Sequence, residues 1–261
     1  MRRPVTFDCG GDRLVGSLDP AVGPTGLLIV SGGNEVRWGT HRGMAMLAAR
    51  LAARGIAVFR FDRRGVGDSE GTNQGWASSR PDMEVALATF RREQPQMTRV
   101  LALGNCDAAT ALACFGASLP LGGLILTNPW TGDDADGLPP QAAIRARYRQ
   151  RLTDPMMWKR AVTGRLDFRR LFRGLRKLFH TRAQDVPTRM ATGLQAFAGP
   201  VTVILAREDA TAIGFRACWT QHAFSALRDR VHWLEVATSS HSFQHAPDTA
   251  ALEAAVYEAL G

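Results

Sequence analysis

The stretch Arg99 to Leu112, RVLALGNCDAATAL, constrains the fold of this chain more than any other. Val100 to Leu103 supply a short apolar run with the length of a buried strand. Gly104 is expected to break that run, and Asp107 to Leu112 open an alanine-rich helix. A strand that turns straight into a helix leaves one residue at the corner, and that residue is Cys106. Small residues on either side, Gly104 and Ala108, let the backbone fold that tightly. The helix N-terminus behind the thiol favours a thiolate, and the N–H of Asp107 can face an oxyanion. The competing reading is that Cys106 is a small buried hydrophobe.

The flanking elements give the corner its context. Val5 to Cys9 and Leu14 to Leu18, separated by Gly10, Gly11 and Asp12, read as an antiparallel hairpin. From Gly26 onward apolar strands alternate with helical patterns. The strands are Gly26–Val30, Ile56–Phe61, the elbow strand, Leu124–Thr127, Val201–Leu205 and Val231–Val236. The helices are Met44–Arg54, Pro81–Arg92, the elbow helix and Thr249–Leu260. This alternation predicts a mostly parallel sheet with helices on both faces and a ligand site at the carboxyl ends of the strands. At the end of Gly26–Val30, Gly32 and Gly33 can turn backbone N–H groups towards a ligand. Gly33 therefore suits the second donor of an oxyanion hole, with a plain tight turn as the alternative.

Charge looks at first like a hint of nucleic acid, since the chain carries a formal net charge of +8. Located along the chain, the excess lies wholly in residues 131–190, which hold 14 Arg and Lys against 6 Asp; the remainder holds 18 of each sign. No nucleic-acid recognition fold accompanies it, so nucleic acid is not an expected partner. Within this insert Ile144, Tyr148 and Leu152 form one apolar stripe. Phe168, Leu171, Phe172, Leu175, Leu178 and Phe179 form another, backed by Arg169, Arg170, Arg173, Arg176 and Lys177. Residues 131–194 are thus expected to form a basic helical lid over a core of 1–130 and 195–261. Weak peripheral contact with an anionic membrane is the other use of such a helix. The four cysteines, Cys9, Cys106, Cys114 and Cys218, are far apart and form no disulfide or zinc pattern. With no apolar run of spanning length and no leader pattern, a cytoplasmic location is expected.

Other motifs narrow the chemistry. The glycines of FDRRGVGDSEG, residues 61–71, lack the spacing and the lysine of a phosphate loop; this stretch matches the D-x-R-G-x-G-x-S turn of α/β-hydrolases, in which Asp62, Arg64 and Ser69 brace loops. His241 and His245 have the spacing of a helical zinc pair, but no Glu follows His241, no third ligand is evident and Pro247 opposes a helix there, so no metal and no cofactor are expected. His41, His180 and His222 carry no motif, and Ser31 is not at an elbow. The order Cys106, Asp209, His241 is that of nucleophile, acid and histidine in α/β-hydrolases, whose G-x-S-x-G elbow is here G-N-C-D-A. Glu208, Asp133 and Asp134 remain rivals for the acid.

Four segments, VSGGNEVRWGTHRG, FDRRGVGDSEG, LGNCDAATAL and LTNPW, followed by an arginine-rich insert, resemble the exosortase A system-associated hydrolase 1 family. The resemblance implies an α/β-hydrolase fold with about eight strands, in a bacterial protein associated with exosortase and exopolysaccharide systems. The chain departs from the superfamily at its elbow, with Cys106 in place of serine and Ala108 in place of the second glycine. Cys–His–Asp triads on this fold occur in dienelactone hydrolases and polyhydroxyalkanoate synthases. The expected activity is hydrolysis of a small ester or thioester through a thioester on Cys106. Acyl transfer by the same cysteine and an idle lipid- or partner-binding protein are the alternatives.

Overall fold

The computed structural model describes residues 1–132 and 186–261. Eight strands form one sheet in the order β1-β2-β4-β3-β5-β6-β7-β8. The hairpin β1 (Arg3–Cys9) and β2 (Asp12–Asp19) pairs antiparallel from Arg3↔Leu18 to Cys9↔Asp12. Strand β2 runs antiparallel to β4 (Ala57–Phe61), and every later pairing is parallel. Those strands are β3 (Thr25–Val30), β5 (Arg99–Asn105), β6 (Gly123–Thr127), β7 (Val201–Ala206) and β8 (Val231–Val236). This is the α/β-hydrolase fold, reached as the alternation of elements predicts.

The central strands bury both faces, so successive residues of one strand enter different cores. Val100 and Ala102 of β5 join one apolar cluster, whereas Leu101 and Leu103 join the other. Helices α2 (Arg80–Glu93) and α3 (Asp107–Phe115) cover the first face through Met83, Leu87 and Phe90 and through the α3 alanines. Helices α1 (Gly43–Ala53) and α6 (Ala246–Leu260) cover the second through Leu47, Leu51, Leu252 and Val256. Each fully buried Leu or Phe among these contributes about 1.5 to 3 kcal/mol of transfer free energy. Helix α5 (Ala210–Trp219) sends Phe215 into the first cluster, stacked on Trp233 of β8. Among the described residues no helix is long and apolar enough to cross a membrane.

The structure corrects three expected boundaries. Strand β5 does not break at Gly104 but runs on to Asn105, pairing Val30↔Gly104 and Asn105↔Thr127. Gly104 is needed for a different reason: a Cβ there would lie 2.7 Å from the carbonyl carbon of Ala108, so only glycine lets α3 cross the strand end this closely. Helix α6 starts at Ala246, not Thr249, because Pro247 falls in its first turn, where a missing N–H costs nothing.

The third correction concerns the insert. Helix α4 (Val186–Ala196) was expected to lie mostly in the lid, yet Met190, Ala191 and Leu194 are buried in the α2–α3 core. Gly193 permits this, since a Cβ would stand 2.2 Å from the Ala113 carbonyl oxygen of α3. Residues 186–194 therefore belong to the core layer. The rest of the expected lid, with its two basic stripes and the alternative membrane contact, lies outside the described residues.

Candidate active site

The register of the parallel strands brings five strand ends to one rim: Val30 lies beside Gly104, Asn105 beside Thr127, Thr127 beside Ile204 and Ala206 beside Val236. The loops that leave this rim carry Gly33, Cys106, Asn128, Asp209 and His241.

Cys106 occupies the corner between β5 and α3 with φ 59° and ψ −125°, a conformation that L-residues avoid. Such a conformation costs about 1 to 3 kcal/mol and persists only where its surroundings over-determine it. Here they do. The Cys106 N–H donates to Thr127 O at 3.0 Å, and the Cys106 carbonyl accepts from Trp130 N at 3.2 Å and Thr110 N at 3.3 Å. Thr110 Oγ1 also donates to the Trp130 carbonyl at 2.5 Å, tying the loop after β6 to α3. The thiol is free and half-buried, and no described residue accepts the N–H of Asp107 at the start of α3.

Asp209 caps α5, its Oδ2 accepting from Thr211 N at 3.0 Å and Ala212 N at 3.1 Å. The same oxygen meets His241 Nδ1 at 3.0 Å. Burial works to raise the Asp209 pKa, but the His241 contact and the two amide donors outweigh it and hold the carboxyl below the ordinary 3.8. Glu208 is exposed, and only its backbone N–H, on Thr238 O at 3.0 Å, bonds to a described residue. Of the two neighbouring acids it is thus Asp209 that reaches the histidine; Asp133 and Asp134 lie outside the described residues.

Burial also opposes the charged form of His241, yet the hydrogen bond to Asp209, the neighbouring Cys106 and the Asp209 charge push its pKa up to about 10. With Nδ1 committed to Asp209, Nε2 is the ring nitrogen left for the sulfur. Asp209 and His241 are thus paired, and Cys106 stands beside the histidine. His245 lies on the N-cap of α6 rather than on a helix with His241. Among the described residues no group of three His, Cys, Asp or Glu could hold a metal ion.

A residue outside the expected site, at the end of β6, anchors the histidine loop. Asn128 is fully buried with φ 42°. Its Nδ2 donates to the His241 carbonyl at 2.9 Å and its Oδ1 accepts from Ala206 N at 2.8 Å, so one amide joins the ends of β6 and β7 to the histidine loop. The signal in the sequence was an Asn at a strand end, one of the few side-chain types that tolerate this backbone region. The loop is held from its far side too: Thr238 Oγ1 donates to Asp248 at 2.6 Å and accepts from Ser240 N at 3.0 Å.

The expected oxyanion donors fare differently from each other. The Gly33 N–H points at the elbow but donates to Asp107 Oδ1 at 2.5 Å. Arg63 Nη2 in turn donates to the Gly33 carbonyl at 2.6 Å and lies 3.4 Å from Asp107 Oδ2. The glycine loop was read as a site for an anion, and the anion it holds at rest is a side chain of the protein itself. Beneath it the Asp62 turn braces as expected: Asp62 accepts from the Arg37 N–H at 2.6 Å and pairs with the Arg37 guanidinium, while Ser69 Oγ donates to Asp62 O at 2.7 Å. Arg64 pairs with Asp82 at 2.6 Å. Ser31 is buried and follows β3 rather than occupying a strand-to-helix corner.

Comparison with known proteins fits this architecture. A Pyrococcus furiosus esterase, Pf2001, superposes with a TM-score of 0.66 over 100% of this chain and 92% of its own, at 15% identity. The thioesterase domain from the curacin biosynthetic pathway gives 0.61 over 98% and 99% at 14% identity. Est1E from Butyrivibrio proteoclasticus, with ferulic acid bound, gives 0.63 over 98% and 99% at 17% identity. At these identities the likeness speaks for the fold. No curated protein matches the sequence. The model of the serine aminopeptidase S33 family matches residues 26–197, which span the glycine loop, the Asp62 turn and the elbow. On that match the chain belongs to the serine aminopeptidase S33 family of α/β-hydrolases, with a cysteine at its elbow corner.

Proposed function

We propose that this protein hydrolyses a small ester or thioester through a thioester acyl-enzyme on Cys106. The observation that supports the reading is the Asp209–His241 pair beside Cys106, which stands at a strained strand-to-helix corner. His241 holds the thiol proton as an imidazolium, and Asp209 fixes the ring through Nδ1. The thiolate attacks the acyl carbonyl carbon; the C–S bond forms and the carbonyl electron pair moves onto oxygen, which the Asp107 N–H faces. Such a donor contributes about 3 to 4 kcal/mol in the transition state. Collapse expels the alkoxide or thiolate, which takes the proton from His241 Nε2. Neutral His241 then deprotonates water, which attacks the thioester and returns Cys106 as thiolate. A hydroxyl acceptor in place of water turns the same intermediate into acyl transfer. The sequence resemblance sets this activity within exosortase and exopolysaccharide systems.

The test is mass spectrometry after brief exposure to a panel of acyl thioesters and activated esters. An adduct on Cys106 that clears in water supports hydrolysis, and one that clears only with an added alcohol supports transfer. On a substrate so found, Cys106→Ala is expected to reduce turnover to background. Full turnover by a folded Cys106→Ala protein overturns the reading.

A further inference from the structure

Resting on that reading of Cys106, one cluster beside the nucleophile remains unexplained. The Asp107 carboxylate fills the place of an incoming oxyanion on the Gly33 N–H, at 2.5 Å. It sits against the loop closely enough that a Cβ on Gly32 would meet Asp107 Oδ1 at 2.8 Å and Cys106 Cβ at 3.5 Å. Its counter-charge, Arg63, has a side chain only 3% exposed and touches the carboxylate through a single nitrogen, Nη2, at 3.4 Å. The other terminal nitrogen, Nη1, is buried with no hydrogen-bond partner among the described residues. A guanidinium and a carboxylate this close ordinarily form two parallel bonds, and a buried donor without an acceptor is costly. The pair is therefore under-bonded by one contact, and Asp107 Oδ1, now held by Gly33, is the carboxylate oxygen with no bond to Arg63.

We propose that Asp107 is a gate on the second oxyanion donor. In the resting enzyme its carboxylate occupies the Gly33 N–H. As substrate reacts, the carboxylate passes to Arg63, where Nη1 completes a two-bond pair, and Gly33 is freed for the oxyanion. No proton moves and no covalent bond changes in this step. The exchange follows the charge of the reacting oxygen. A neutral ester carbonyl is a weaker acceptor than a carboxylate and does not take the N–H, whereas the tetrahedral oxyanion carries a full charge and does. The donor is thus withheld from bound substrate and given to the transition state, which is where binding accelerates a reaction. Arg63 acts through Asp107 and is a positioning residue.

Two reactions of the same sulfur isolate this effect. Alkylation of Cys106 by iodoacetamide develops no oxyanion, whereas acylation by p-nitrophenyl acetate does, so the acylation-to-alkylation rate ratio reads the oxyanion hole alone. Asp107→Asn, a neutral and weaker acceptor on Gly33, is expected to raise the ratio about tenfold, and Arg63→Lys, with one nitrogen and no second bond to offer, to lower it by a similar factor. A bracing role moves both variants the same way, with melting temperature. A ratio unchanged in both, or falling in both, overturns the gate. If Asp107→Asn does not fold, Arg63→Lys decides: a lower ratio supports the gate and an unchanged one overturns it. If Cys106 alkylates but is acylated in neither wild type nor Asp107→Asn, the failure belongs to the acyl-enzyme reading itself; acylation of Asp107→Asn alone supports the gate.

Discussion

The elbow and the histidine corner do the two halves of one task and are built in opposite ways. The elbow is local: strand β5, Cys106 and α3 are consecutive, and the backbone hydrogen bonds on Cys106 reach Thr110 within α3 and Thr127 and Trp130 on the adjoining strand and loop. The corner is assembled from afar. Asp209 and His241 come from different strand ends, and Asn128 reaches the His241 carbonyl across 113 residues of chain. Local strain sets the nucleophile, whereas long-range hydrogen bonds set the base. Damage to the elbow should therefore appear first in stability and damage to the corner first in turnover.

The largest effect on turnover, after loss of the sulfur itself, is expected at the acid. Asp209→Asn keeps the cap on α5 but no longer fixes the imidazole tautomer, and kcat/KM should fall roughly 10^3- to 10^4-fold. Glu208→Gln, one residue away and exposed, should stay within about twofold, as surface changes do. Equal losses in the two variants would show that the corner is not set by this one carboxylate. Steady-state kinetics on the substrate found by adduct mapping measure both.

Gly104→Ala tests the other region. The new Cβ meets backbone atoms of Ala108 and Ala109 at 2.7 to 2.8 Å, which cannot give way as a flexible side chain would. A loss of about 3 kcal/mol, read from the denaturation midpoint, is expected from such overpacking. A stability equal to wild type would show that α3 can pull away from β5 and that the elbow is not over-determined.

Asn128→Ala sharpens the contrast between the regions. It removes a buried bridge and leaves the Ala206 N–H unpaired, at a cost of about 1 to 3 kcal/mol. Because the bridge also holds the His241 carbonyl, kcat should fall more than KM rises, while iodoacetamide still finds Cys106 in the folded protein. Loss of stability with kcat unchanged would make Asn128 a brace and no more.

The smallest effect is in pH dependence. Folding raises the pKa of His241 from 6.5 to about 10, so the folded state binds its proton more tightly. That contribution to stability is whole below pH 6.5 and is lost as pH rises through about 10. Asp209 is shifted the other way, and its contribution is present above pH 3.8 and lost as pH falls through its lowered value. The melting-temperature advantage of wild type over His241→Ala should therefore be greatest between pH 3.8 and 6.5 and shrink towards pH 10. A constant advantage across that range would show that the imidazole is not held charged.

What the amino-acid sequence determined alone is what depends on neighbours along the chain. Apolar runs and helical stripes located the strands and four helices of the core to within a few residues, though not the helix Ala210–Trp219, and the corner at Cys106 followed from a strand meeting a helix with small residues at Gly104 and Ala108. The order Cys106, Asp209, His241 was equally legible. Tertiary structure decided whatever depends on which atoms face one another. Glu208 and Asp209 are adjacent and chemically alike, and only the turn after β7 aims one of them at His241. Asn128 showed only as an Asn at a strand end, and its role was not legible because its partners, Ala206 and His241, lie far along the chain. Most of the helix Val186–Ala196 falls within the insert by its sequence, and only the close approach of Gly193 to the α3 backbone assigns it to the core. The Gly33 N–H could be foreseen as a donor, but not that Asp107 would be its acceptor, because Gly33 and Asp107 are 74 residues apart and meet only where strands β3 and β5 end side by side.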